Sequence, residues 1–177
     1  MSSIKKPETD KNAPLGDVLV IGYGNPGRLD DGLGPALAAA LEKETLDGVT
    51  VDSNYQLTVE DALPISQHKV VIFADADVAG PEPFYFKAVK PGKHVTFSSH
   101  SISPRSVLGL AEELFEKVPA AYVLGIRGYE FNEFEERLST GAQNNLQHAL
   151  AFVTNALKNR TFTEVREQNA PAETNNS

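Results

Sequence analysis

The sequence contains no cysteine, and this absence excludes several kinds of chemistry at once. Without thiols the chain can form no disulfide bond, no thiolate nucleophile and no cysteine-type zinc site. Any metal that it binds is therefore held by nitrogen and oxygen ligands.

Basic residues and long apolar runs are also scarce. The chain has 16 lysines and arginines against 24 aspartates and glutamates, which gives a net charge of -8. This balance lacks the basic stripe that nucleic acids and anionic membrane surfaces require, so we expect neither as a partner. No apolar run reaches the length of a membrane span, and the N-terminus lacks the apolar region of a secretory signal, so the cytoplasm is the expected location.

The length of 177 residues predicts one domain rather than two. Apolar periodicity begins and ends at about the limits of residues 15–160, which we take as the folded domain. The segments outside it, 1–14 and 161–177, are polar and rich in proline or asparagine. We expect both to be disordered tails.

Short apolar runs alternate with helical patterns along the domain. Strands are predicted near residues 17–22, 49–53, 69–75, 84–89 and 121–126, the fourth at or near a sheet edge because prolines flank it. Helices are predicted from Leu33 to Lys43, after a capping box of Thr58 and Asp61, from Pro104 to Lys117, and from Ser139 or Thr140 onward. The alternation predicts a three-layer α/β/α sandwich around a five-stranded, mostly parallel twisted sheet.

Three ionisable residues fall where ligands gather in such folds, at the carboxyl ends of the strands. Asp31 follows the first predicted strand, Asp75 ends the third, and His100 lies in the serine-rich loop before the helix that starts at Pro104. Two carboxylates and an imidazole form a ligand set suited to a borderline divalent metal such as nickel or zinc.

The same residues also have structural interpretations, which the sequence leaves open. Asp30 or Asp31 can cap the following helix, where a carboxylate is favourable. Asp75 and Asp77 can form turns by binding backbone N–H groups, and His100 can face solvent. The remaining histidines are expected to be structural or exposed: His68, His94 and His148.

Four motifs in order carry a resemblance to a known family. They are "VLVIGYGNPGRLDDGLGPALAAAL", "VVIFADADVAG", "SSH" followed by a helix, and "VLGI", and they span Val18 to Leu157. In this order they resemble the hydrogenase maturation proteases, endopeptidases that trim the C-terminus of the large subunit of a nickel-iron hydrogenase. The resemblance implies a phosphorylase/hydrolase-like fold whose fourth strand runs antiparallel to the others.

The resemblance also implies a site and a partner. It assigns Asp31, Asp75 and His100 as the metal-contacting and catalytic residues, which recognise nickel already seated in the substrate. The protein would then be a monomer without a permanent metal or cofactor, and its partner would be the large-subunit precursor. The glycine turn would be shaped by Gly22, Gly24 and Asn25, since glycine permits positive φ and close backbone approach.

One segment departs from the family pattern. "GIRGYEF" replaces the usual acid-proline continuation after the last main strand, so Arg127, Tyr129 and Glu130 can serve a variant substrate. Arg105 and Arg127 either dock an acidic peptide or are merely solvated, and we favour solvation.

Two other functions compete with the endopeptidase. A non-catalytic nickel-sensing or nickel-delivery partner would keep the same pocket, and the sequence shows no separate nucleophile. Peptidyl-tRNA hydrolases share the motif "GYGNPG", but in them the motif is followed by a catalytic histidine and by basic residues that contact RNA. Here the continuation is "RLDDGLG", which makes that function less favourable.

Overall fold

Five strands form one sheet in the computed structural model, which describes residues 16–93 and 102–166. The strands are β1 (Gly16–Tyr23), β2 (Val49–Asn54), β3 (His68–Asp77), β4 (Phe84–Ala88) and β5 (Ala120–Arg127). The helices are α1 (Leu33–Glu42), α2 (Ala62–Ser66), α3 (Pro104–Phe115) and α4 (Thr140–Asn159). Short 3-10 turns occupy Leu29–Gly32 and Val59–Asp61.

The strand order is β2-β1-β3-β5-β4, and only β4 runs antiparallel to its neighbour. Alternate strand residues point into two apolar cores. Side chains from α1 and α4 complete one core, which includes Val20, Leu37, Ile72, Leu146 and Val153. Side chains from α2 and α3 complete the other, which includes Ile21, Ile65, Phe73 and Leu108. The predicted three-layer sandwich, with β4 antiparallel at an edge, is confirmed.

Side-chain caps explain where three of the helical segments begin. Asp61 accepts a hydrogen bond of 2.7 Å from the N–H of Thr58, which completes the predicted capping box. Ser103 and Ser139 cap α3 and α4 by accepting the N–H groups of Ser106 and Ala142, both at 3.2 Å. Among the described helices, none is long and apolar enough to cross a membrane.

The described contacts continue beyond the expected domain limit at residue 160. Val165 and Phe86 exchange two backbone hydrogen bonds of 2.8 Å, and the Phe162 ring lies 5.6 Å from that of Tyr122. Single apolar residues spaced along an extended segment produce no periodicity, so the sequence pattern had not signalled them. The limits 15–160 stay a prediction, and residues 1–15, 94–101 and 167–177 lie outside the described residues.

Two glycines let α1 approach the ends of β1 and β3 closely. A Cβ on Gly34 would lie 2.4 Å from the carbonyl oxygen of Tyr23 and 2.6 Å from that of Ala74. A Cβ on Gly22 would lie 2.2 Å from the carbonyl oxygen of Gly34. Because both obstacles are backbone atoms, no side-chain rotation can relieve them. This close approach places the turn before α1 over the carboxyl edge of the sheet.

We therefore expect Gly34→Ala to destabilise the protein by about 2 kcal/mol or more, because overpacking outweighs the gain of about 1 kcal/mol in helix propensity. Urea denaturation measures the change. Gly27→Ala is the control, since the nearest atom to its Cβ is a side-chain oxygen at 3.2 Å, and it should stay within about 1 kcal/mol of the parent. A Gly34→Ala variant more stable than the parent would contradict this account.

Candidate functional site

The strand order reverses direction between β1 and β3, and we call the region at the carboxyl ends of these two strands, around Asp31 and Asp75, the crevice. The chain leaves β1 toward β2 on one side, and then crosses to β3 on the other. Asp31 lies in the turn after β1, and Asp75 lies near the end of β3. Ligands of open α/β sheets bind at such points. The fold therefore brings two of the three predicted site residues to the expected place.

The turn after β1 holds the Asp31 carboxylate by its own backbone. The N–H of Asn25 donates to Asp31 Oδ2 at 2.9 Å. Gly24 has φ +139°, and a Cβ there would lie 2.0 Å from the Asp31 carbonyl oxygen. Only glycine fits this conformation and this contact. The predicted role of Gly24 in shaping the turn thus has a specific cause: it lets the chain fold back onto Asp31.

Asp75 is a carboxyl group that resists ionisation. Burial raises its pKa to about 7, and the negative charge of Asp31 adds to the effect. The N–H of Ala76, which donates to Asp75 Oδ1 at 2.8 Å, and the hydroxyl of Tyr23 act in the opposite direction but do not cancel it. The electrostatic coupling of Asp75 to Asp31 means that the two carboxylates share one crevice and repel each other.

Two tyrosines, Tyr23 and Tyr85, complete this part of the sheet, and the sequence analysis did not identify either. Asp75 pairs with Gly125 on β5, and Gly125 pairs with Tyr85 on β4. A Cβ on Gly125 would lie 2.3 Å from the Tyr85 ring, so the missing side chain lets the ring cross the strand. Burial raises the pKa of Tyr85 to about 12, and the charge of Asp77 contributes. Burial also raises the pKa of Tyr23 well above its usual value.

Asp77 and Arg127 have structural roles. Asp77 accepts the N–H groups of Ala79 and Gly80 at 2.9 and 2.8 Å, which confirms the turn-forming interpretation for it. Burial acts to raise its pKa, but these hydrogen bonds outweigh burial and the pKa is lowered. Arg127 donates to the carbonyl oxygen of Gly80 at 2.7 Å and lies over the Tyr129 ring. Arg127 is half-buried and bound to the protein's own backbone, so the expectation that it is merely solvated was wrong, whereas Arg105 is exposed as expected.

Asp30, next to Asp31, is fully buried, and we call the set of hydrogen bonds that its carboxylate accepts the Asp30 clamp. Its carboxylate accepts the N–H groups of Tyr129, Glu130 and Ser139 and the hydroxyl of Ser139, at 2.7 to 3.0 Å. Burial acts to raise its pKa, but these four donors outweigh burial and lower it. Neither acid caps α1, whose N-cap is Gly32 without a side-chain hydrogen bond, so that interpretation was wrong.

These contacts predict unequal stability effects for neighbouring substitutions. Asp30→Asn places an amide N–H₂ among four donors and should lower the free energy of unfolding by about 3 kcal/mol. Asp31→Asn keeps an oxygen for the N–H of Asn25 and should change it by less than about 1 kcal/mol. Urea denaturation of both variants tests the distinction, and equal destabilisation would overturn it.

A second prediction concerns pH. Between the ordinary carboxyl pKa of 3.8 and about 7, the unfolded state loses the Asp75 proton while the folded state keeps it. Ionisation of this group therefore costs stability as pH rises through that window. Asp75→Asn removes the cost, so its stability relative to the parent should increase across the window and then level off. Urea denaturation in chelator at several pH values measures the difference, and a difference independent of pH would contradict the assignment.

The third predicted site residue, His100, lies outside the described residues, as does His94. Within residues 16–93 and 102–166, no group of three or more histidines, aspartates or glutamates is placed to hold a metal ion. His68 binds the carbonyl oxygen of Pro64 at 2.6 Å, and His148 is exposed on α4, as expected for structural or surface histidines. Asp31 and Asp75 are thus the described part of the predicted ligand set.

The fold and the crevice define an α/β protein with paired carboxylates at its switch point. No protein-family model and no curated protein matches the sequence. Solved structures do match its fold. The hydrogenase maturating endopeptidase HybD from E. coli is 23% identical, with a TM-score of 0.61, over 84% of this chain and 96% of that one.

Two archaeal structures give the same result. The [NiFe] hydrogenase maturation protease HycI from Thermococcus kodakarensis is 22% identical, with a TM-score of 0.61, over 81% of this chain and 93% of that one. A hydrogenase 2 maturation peptidase from a Thaumarchaeota archaeon is 22% identical, with a TM-score of 0.59, over 80% and 97%. The resemblance seen in the sequence motifs is confirmed at the level of the fold: this chain has the fold of the hydrogenase maturation peptidases.

Proposed function

We propose that this protein is an endopeptidase that removes a C-terminal peptide from the large-subunit precursor of a nickel-iron hydrogenase after nickel insertion. The observation that carries the proposal is the convergence of Asp31 and Asp75 at the switch point of a fold shared with hydrogenase maturation peptidases. Fold alone does not fix function, so the carboxylate pair is the necessary second support.

The proposed site recognises the nickel of the substrate. Asp31 and Asp75 repel each other, and a divalent cation between them relieves that repulsion and takes the place of the Asp75 proton. His100 is proposed as the nitrogen ligand, because it precedes the Ser103 cap of α3 by three positions and imidazole suits nickel. The metal belongs to the precursor, so a precursor without nickel has no metal ion for these residues to bind.

Hydrolysis needs a polarised peptide carbonyl and a water that loses a proton. Substrate nickel held at the carboxylate pair supplies the polarisation as a Lewis acid. A carboxylate oxygen at the same edge accepts the proton of the attacking water and passes it to the amine nitrogen as the peptide C–N bond breaks, while the neighbouring Tyr23 hydroxyl donates to the Asp75 carboxyl. The enzyme itself carries no permanent metal in this scheme.

Replacing any of the three proposed ligands should stop processing. We expect Asp31→Asn, Asp75→Asn and His100→Ala each to lower cleavage of the nickel-loaded precursor more than about 100-fold, since even outer partners of metal ligands are worth about 10- to 100-fold. Loss of precursor mass measures cleavage. His94→Ala and His148→Ala are the controls and should process normally.

Near-normal cleavage by Asp31→Asn or His100→Ala would refute the mechanism. The nickel-free precursor provides a further control, because it should remain uncut by the parent protein. The non-catalytic alternative gives a different pattern: the parent protein binds the loaded precursor, the ligand variants lose that binding, and no mass is lost in any sample.

A further inference from the structure

The connection between β5 and α4, residues 128–138, combines acidic and aromatic side chains, and we call it the acidic-aromatic loop. Its tip carries Phe134, which is 86% exposed, the highest value among the exposed large hydrophobic residues described. Glutamates surround this ring in sequence: Glu130, Glu133, Glu135 and Glu136. One exposed aromatic residue is not unusual by itself, so its surroundings decide whether it forms part of a binding surface.

The loop that carries Phe134 is held in place by hydrogen bonds and ion pairs. The N–H of Leu29 donates to the carbonyl oxygen of Glu135 at 3.0 Å, and Arg28 Nε donates to that of Phe131 at 2.9 Å. Arg137 forms ion pairs of 2.8 and 2.9 Å with Glu130 and Glu135. The Asp30 clamp holds both ends of the loop as well. A fixed loop that displays an aromatic ring loses little entropy when it binds.

The same bonds tie the loop to the crevice. Leu29 and Asp30, which hold the loop, directly precede Asp31 in the turn after β1. Exposed apolar residues also concentrate at this edge of the sheet. Five of the eight large ones described lie on connections that follow strand carboxyl ends: Tyr55, Val59, Val78, Tyr129 and Phe134. A protein that brings a metal to Asp31 therefore comes close to a loop that is bonded to the residues just before Asp31.

We propose that the acidic-aromatic loop is a docking surface for the folded precursor, with Phe134 as the apolar anchor. The inference rests on the proposed function and adds to it the chemistry of the partner surface. Glu133 and Glu136 form no ion pair with any described residue, so the matching surface beside the substrate's metal is an apolar pocket flanked by lysines or arginines.

Steady-state cleavage of the nickel-loaded precursor tests the inference. Phe134→Ala should raise KM at least about tenfold and leave kcat at saturation within about twofold, because the ring acts in docking and not at the scissile bond. The double variant Glu133→Gln/Glu136→Gln should raise KM at low salt and weaken its dependence on salt. Leu114→Ala, an apolar truncation at the far end of α3, is the matched control and should change neither constant beyond about twofold.

The possible outcomes separate this inference from the proposed function. If the parent cleaves the precursor, Asp31→Asn does not, and Phe134→Ala keeps the parent KM, the result refutes the docking surface and leaves the proposed function intact. If the parent binds the precursor without cleaving it and Phe134→Ala loses binding, the surface stands and the peptidase function falls. If neither binding nor cleavage occurs, both fall. A shift of the parent from dimer to monomer on Phe134→Ala would assign the surface to a second copy of this chain and overturn the inference.

Discussion

The buried carboxylate of Asp30 is the interaction on which the rest of the site depends. A buried charge is tolerable only when hydrogen bonds replace its lost hydration, and here four donors do so. Those donors come from Tyr129 and Glu130, at the start of the connection after β5, and from Ser139, the N-cap of α4. One side chain therefore fixes the turn after β1, the loop beside it and the start of a long helix. The position of Asp31 in the crevice follows from this fixation.

Adjacent acids in the sequence thus serve opposite purposes. The Asp30 carboxylate accepts hydrogen bonds from the protein's own backbone, and these hydrogen bonds lower its pKa. Asp31 retains a carboxylate that influences Asp75 across the crevice. In a helical or turn segment, consecutive side chains point in different directions, so a pair of identical residues can divide a structural task from a chemical one.

Most of the fold could be predicted because strand and helix periodicities are local properties of the sequence. The edge position of β4 could also be predicted from its flanking prolines, and its direction from the family resemblance. What could not be predicted depends on register. Only the alignment of Asp75, Gly125 and Tyr85 across three strands shows that a glycine admits the tyrosine ring, and no spacing in the sequence encodes that alignment. The capping interpretation failed because Asp31 binds the N–H of Asn25 within its own turn, whereas Asp30 binds groups that follow β5. Solvation of Arg127 failed because its partner, the Gly80 carbonyl, lies far away in sequence.

The pairing of Val165 with Phe86 has a consequence for how a peptide can reach this protein. An edge strand with free N–H and C=O groups is a template on which an extended peptide adds as a further strand. At Phe86 both groups are already engaged by the chain's own segment after α4. A peptide cannot extend the sheet there without displacing that segment. The chain itself therefore closes this edge of the sheet to strand addition, with the segment that follows α4.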